Sequence, residues 1–181
     1  MKAGESMCTD EMKQGEFLQV WKIMEESFPE DEHRPFEQQK KLLAKSEYKI
    51  YVQRVQGLVQ GFVAVWELES LVFIEHLAVE KNFRNKGAGS ELLSFVSRKY
   101  SCDICLEVEI PEDEITCRRV EFYKRNGFCL NNYPYTQPPL SEGQQAVPLL
   151  IMTKGKELTE SEFMNMKSTL YKEVYNCHNL Y

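Results

Sequence analysis

The residues of this chain whose type and spacing could do chemistry fall mostly between positions 75 and 128. The string LAVEKNFRNKGAG, residues 77–89, runs from an apolar segment through a basic loop spaced by glycines into a helical pattern. Such a junction presents unpaired backbone N–H groups at the positive end of a helix dipole and is suited to holding phosphate. Gly87 and Gly89 let the backbone approach an anion without a Cβ in the way, while Arg84 and Lys86 add positive charge. From the glycines alone, the same loop reads more readily as a tight, solvated turn. Two nucleotide motifs are excluded: there is no G-K-[ST], and Leu92 occupies the third glycine position of a would-be G-x-G-x-x-G.

These residues must be positioned by a fold of ordinary soluble composition. The 181 residues are 43% hydrophobic and 28% charged, which suits one domain spanning 1–181. A net charge of -6 argues against a nucleic-acid surface and suits a cationic substrate. No apolar run approaches membrane-spanning length, and the first residues lack the apolar core of a signal peptide, so the expected location is the cytoplasm, away from membranes. The six cysteines are read as reduced packing thiols.

Phe17, Val20, Trp21, Met24 and Phe28 follow helical spacing up to Pro29, and a short second helix is expected after Pro35. Tyr48, Ile50 and Val52 alternate as a strand, and Gln56-Gly57 turns the chain into Leu58–Leu68. Leu71–Val79 reads as a strand buried on both faces, followed by a helix with Leu92, Leu93, Val96 and Tyr100. A strand over Ile104–Ile110 and a helix around Arg118–Arg125 come next. Strand-like segments near 128–132 and 147–153 flank a proline-rich loop, Pro134 to Pro139. Thr159 and Glu162 form a capping box, with Leu158 and Phe163 as its hydrophobic staple, for a helical extension over 156–181 whose apolar stripe could serve a homodimer. The order of elements is that of a mixed α/β layer fold.

The spacing R-x-x-G-x-G of Arg84, Gly87 and Gly89 after an apolar strand resembles the GNAT superfamily of acyl-CoA-dependent N-acetyltransferases. RRVEFYKRNGF, residues 118–128, resembles that family's second recurrent helix. The resemblance implies a single-domain fold with a central, splayed, mostly antiparallel sheet, binding acetyl-CoA and needing no metal. It implies direct transfer of acetyl to a primary amine, with a small molecule as the expected acceptor. A peptide N-acetyltransferase and a noncatalytic acyl-CoA-binding module are the alternatives.

By the same resemblance Leu77, Ala78 and Val79 meet the pantetheine arm, and Arg84, Asn85, Lys86, Gly87, Ala88, Gly89 and Ser90 surround the pyrophosphate. Thr116 stands where family members often carry a cofactor-contacting Asn. Tyr123 becomes the candidate general acid, since a phenol of pKa about 10 stays protonated at neutral pH; its alternative is a core aromatic. Glu107 in LEVE and Glu75 in IEHLAV compete as the base that an ammonium acceptor requires, with water-relayed deprotonation as a further alternative. Glu75 shares strand parity with Leu77 and Val79, and Glu109 shares it with Glu107. His76 reads as structural, while His33 and His178 lie outside these motifs.

Overall fold

A computed structural model describes residues 8–177; His178 lies outside them. Helix α1, Phe17–Ser27, buries Phe17, Val20, Ile23 and Met24 along one stripe. It ends where Phe28, restricted by the following proline, becomes extended. Helix α2, Phe36–Lys41, starts directly after Pro35. Strands β1 (Cys8–Glu11), β2 (Tyr48–Val55), β3 (Leu58–Glu67) and β4 (Leu71–Val79) build one wing of the sheet. Gln56 and Gly57 both adopt positive φ, the hairpin turn that right-handed strand twist favours.

The other wing holds β5 (Asp103–Glu109), β6 (Phe128–Gln137) and β7 (Val147–Lys154), with helices α3 (Ala88–Lys99) and α4 (Glu114–Arg125) between its strands and β4 in sequence. Helix α5, Glu160–Thr169, continues into a π turn over Leu170–Val174. The strand order is β1-β2-β3-β4-β5-β7-β6, antiparallel except between β4 and β5. This is a mixed α/β fold with a mostly antiparallel seven-stranded sheet flanked by helices.

Strand alternation sends side chains to two cores. Ile50, Phe62, Trp66, Phe73, Cys105 and Ile151 pack beneath α1, and the same core takes in Leu158, Phe163, Met166 and Leu170. The C-terminal segment is thus part of one face of the sheet. Val63, Ile74, Leu106 and Met152 pack with Leu92, Val96, Val120 and Tyr123 from α3 and α4 on the other face.

Three boundaries differ from the sequence reading. Strand β1 has an exposed pattern with no apolar alternation, which is why the sequence carries no sign of it. Helix α4 begins four residues early because Asp113, not a residue of the apolar pattern, caps it and accepts the N–H of Thr116. Strand β6 runs through Pro134 to Gln137; it is an edge strand whose register shifts between Asn131 and Tyr135, the setting in which proline is tolerated.

The feature that matters most is where pairing stops. Strands β4 and β5 pair only from Leu71–Asp103 to Ile74–Leu106. Beyond that point β4 pairs only with β3, out to Val79–Gly61, and β5 only with β7, out to Glu109–Leu149. The sheet therefore splits along this seam.

Because Phe163 is 2% exposed within the main core, Phe163→Ala should lower the unfolding free energy by about 3–5 kcal/mol in urea titrations. A loss below about 1 kcal/mol, as at a surface site, would mark α5 as a mere appendage.

Candidate active site

The split opens into a cleft of about 1160 Å³ lined from both wings and from α3 and α4. Its upper wall begins with an irregularity. Ala64 pairs with His76 and Val65 with Ile74, so Glu75 is an extra residue in β4, a β-bulge. The bulge resets the alternation: Phe73 lies under α1, whereas Leu77 and Val79 pack on the α3–α4 side. Strict alternation would place Glu75 beside Leu77 and Val79; the bulge instead turns it to the other face, against Arg34.

The Glu75 side chain is 4% exposed and forms a 2.7 Å ion pair with Arg34, whose guanidinium also lies over the Trp66 ring. Burial alone pushes a carboxyl up, but Arg34 and His76 outweigh it and hold Glu75 at about 2. His76, 2% exposed, lies 3.5 Å from Glu75 through Nδ1, meets the Glu32 carbonyl through Nε2 at 2.8 Å and stacks edge-on with Phe28. A carboxylate fixed in this way is a standing negative charge rather than an acceptor of protons near pH 7.

Glu107, on the facing wall, sits in the opposite environment. It shares alternation with Cys105 and so points to the α1–α5 face, where its hydrogen-bond partners among the described residues are phenols. The Tyr175 hydroxyl lies 2.7 and 2.9 Å from its two oxygens, and the Tyr135 hydroxyl donates to Oε1. Burial raises its carboxyl to about 7 against these two hydrogen bonds, which lower it. Glu109 departs from its strand mate: it pairs with Arg119 of α4.

Tyr123 lines the cleft from the other face, packed edge-on against Phe122 and Phe128. Burial pushes its phenol up to about 12; the charge of Arg119 opposes that rise and Glu109 adds to it. A potential proton acceptor and a potential proton donor thus stand on opposite faces of the sheet and meet only through the split.

The loop at the end of β4 has the form of an anion cradle. Asn85 and Gly87 have positive φ, 61° and 89°, with Lys86 between them, and Gly87 caps α3 without a side chain. The first closing bond of α3 runs from Glu91 N–H to the Gly87 carbonyl, leaving the N–H groups of Ala88, Gly89 and Ser90 ahead of it. Space around Gly87 is open, whereas a Cβ on Gly89 would stand 3.1 Å from the Phe122 ring. Gly87 therefore serves the loop conformation, and Gly89 serves the close approach of α3 to α4. Arg84 donates through Nε to the Val79 carbonyl, and Lys86 reaches the Asn82 carbonyl and the Phe83 ring. Arg84 and Asn85 line the cleft with Leu77, Ala78 and Val79.

Thr116 is placed differently from the sequence expectation. Its hydroxyl is committed to the Asp113 capping box, and it is not among the cleft-lining residues; nor is Lys86.

Residues 46–129 match the family profile described as Acetyltransferase (GNAT) domain. Over these residues the chain carries a GNAT acetyltransferase domain. YjbC of Bacillus subtilis (strain 168), provisionally named an acetyltransferase, is 27% identical over 112 residues, 60% of this chain and 58% of that protein. The match therefore spans little more than half of that relative. A GNAT-family structure from Bacteroides thetaiotaomicron, also provisionally named an acetyltransferase, is 27% identical at TM-score 0.84, covering 93% of this chain and 98% of its own. Arabidopsis thaliana NAA60, solved with acetyl-CoA, shares the fold at TM-score 0.64 and 18% identity, over 82% of this chain and 97% of its own.

Three partners of the GNAT site escaped the sequence reading: Arg34, Tyr135 and Tyr175. None stands near a motif, and each meets a cleft-lining glutamate, Glu75 or Glu107, only through tertiary packing. The first is testable through stability. Arg34→Ala leaves a buried carboxylate unpaired and should cost about 3–5 kcal/mol at pH 7 by urea unfolding. Glu75 is held near 2 against an ordinary 4.5, so the stabilisation is present above about pH 4.5 and fades as pH falls toward 2. The deficit should shrink in step; a deficit that is constant with pH would contradict the ion-pair account.

Proposed function

We propose that this GNAT domain transfers acetyl from acetyl-CoA to a primary amine of a small-molecule acceptor, by direct attack within the split between β4 and β5. The observation that carries this reading is the pairing pattern: the β5-facing edge of β4 beyond Ile74 has no strand partner among the described residues, and it leads directly into the anion cradle of residues 84–90. The residues present fit acetyl-CoA. An unpaired strand edge suits the amides of a pantetheine arm, the open positive-φ loop suits a diphosphate, and the cleft has room for both.

When bound, acetyl-CoA supplies an acyl group already activated as a thioester. The chain's own groups then supply the protons. An alkylamine of pKa about 10.4 is almost wholly protonated at pH 7, and Glu107, held near 7, accepts the proton that must leave before nitrogen can bond to the acyl carbon. Backbone N–H groups of the free β4 edge are positioned for the carbonyl oxygen as charge develops on it. Tyr123 gives its proton to the sulfur as the carbon–sulfur bond breaks. A phenol near 12 is a weak acid, so that transfer must accompany bond cleavage, and the positive charge of Arg119 eases it. Glu75 keeps its negative charge throughout, neutralised by Arg34, and takes no part in the proton transfers.

Titration calorimetry should detect acetyl-CoA binding in the parent. Gly87→Ala, which forces a side chain into the left-handed region, should weaken binding roughly tenfold while the fold persists. Gly89→Val should instead lower stability through Phe122. In assays of CoA release with an amine panel, Tyr123→Phe should lower kcat and leave acetyl-CoA affinity unchanged. Binding with no turnover on any amine would mark a noncatalytic acyl-CoA-binding domain, and a preference for peptides would reassign the acceptor.

A further inference from the structure

Both groups that hydrogen-bond the Glu107 carboxylate come from chain beyond the matched span of residues 46–129. Tyr135 belongs to the edge strand β6. Tyr175 follows the π turn at the end of α5, where its own N–H closes on the Leu170 carbonyl at 3.2 Å. A π turn widens a helix end and offsets the residues after it, and here it delivers the Tyr175 hydroxyl to both oxygens of Glu107. Tyr171 packs edge-on between the two phenols, with ring centroids 5.8 Å from Tyr135 and 6.4 Å from Tyr175, and Phe73 flanks Tyr175 at 6.5 Å. The rings are thus fixed by packing independently of their hydroxyls.

We propose that Tyr135 and Tyr175 are positioning residues for acetyl transfer: their hydroxyls hold the Glu107 carboxylate in place at the seam, and the C-terminal segment thereby completes the site. The proposal rests on Glu107 acting as the base. Both phenols can donate to the ionised carboxylate, with Oε1 receiving two contacts and Oε2 one. When Glu107 is protonated, these donors face a neutral carboxyl, a weaker acceptor than the carboxylate. The pair therefore favours the form that accepts a proton, against the burial that disfavours it. The other groups facing Glu107 are Glu75 and His76 of β4, with Arg34 balancing Glu75, and Cys105 and Tyr171. Of these, Glu75 opposes ionisation of Glu107 and His76 favours it. None of them donates a hydrogen bond to its carboxylate among the described residues.

The test uses the full chain labelled with glutamate carrying ¹³C at Cδ, with the Glu107 signal identified by its loss in Glu107→Gln. Tyr175→Phe and Tyr135→Phe keep both rings and remove one donor each. Each should raise the Glu107 titration midpoint by roughly one pH unit. The acidic limb of kcat/KM for CoA release, with acetyl-CoA and propylamine, should move upward by the same amount, since fewer molecules hold an ionised base at a given pH. A purely structural role would lower thermal stability or scale the rate without moving either midpoint. An unmoved Glu107 midpoint in both variants overturns the proposal whatever the rates do. A raised midpoint with an unmoved kinetic limb overturns the catalytic part, because Glu107 then takes no proton during turnover, and it is the assignment of the base that falls.

Discussion

Every buried backbone N–H and C=O must find a partner, and β4 is short of partners on one side for its last five residues. Strand β5 leaves it after Leu106 because β5 is drawn to β7, while β4 stays with β3. The two wings diverge, and the cleft is the consequence. A hydrogen-bonding edge left open within a folded sheet is a site for something that can act as a strand, and an extended amide chain meets that requirement. The anion cradle then follows by position alone, since the chain must leave β4 and start α3 at the same end of the cleft.

The same seam explains why two glutamates of similar setting in the sequence behave so differently. The bulge turns Glu75 toward Arg34, and a close cation in a dry environment overcomes the cost of burial. Glu107 is as deeply enclosed but has only neutral donors, so burial prevails and its proton affinity rises toward neutrality. The ordering comes from which charge lies within hydrogen-bonding distance, not from depth. Because Glu107 and Tyr123 occupy opposite faces, neither could serve a common substrate in an unbroken sheet.

Much of this was legible in the residues themselves. The strands of the central sheet, the R-x-x-G-x-G loop, the Gln56-Gly57 hairpin and the Thr159 capping box are local features, and local spacing suffices to read them. The bulge at Glu75 was not legible, because IEHLAV alternates as well with an inserted residue as without one, and the register is imposed by β3. The phenols on Glu107 were hidden for a related reason: Tyr135 reads as loop beside Pro134, and Tyr175 lies in a turn whose destination depends on how α5 packs. Gly87 and Gly89 look equivalent in sequence, yet one answers to a backbone angle and the other to the Phe122 ring.

The central claim is that the unpaired edge of β4 and the cradle after it form one continuous binding track. A crystal structure grown with CoA tests it most directly. The account predicts diphosphate oxygens accepting from the N–H groups of Ala88, Gly89 and Ser90, a pantetheine arm paired along Leu77 to Val79, and the sulfur between that edge and Glu107, facing the Tyr123 hydroxyl. Coenzyme bound elsewhere, or β4 and β5 zipped together past Ile74 and Leu106 with the cleft closed, would contradict it.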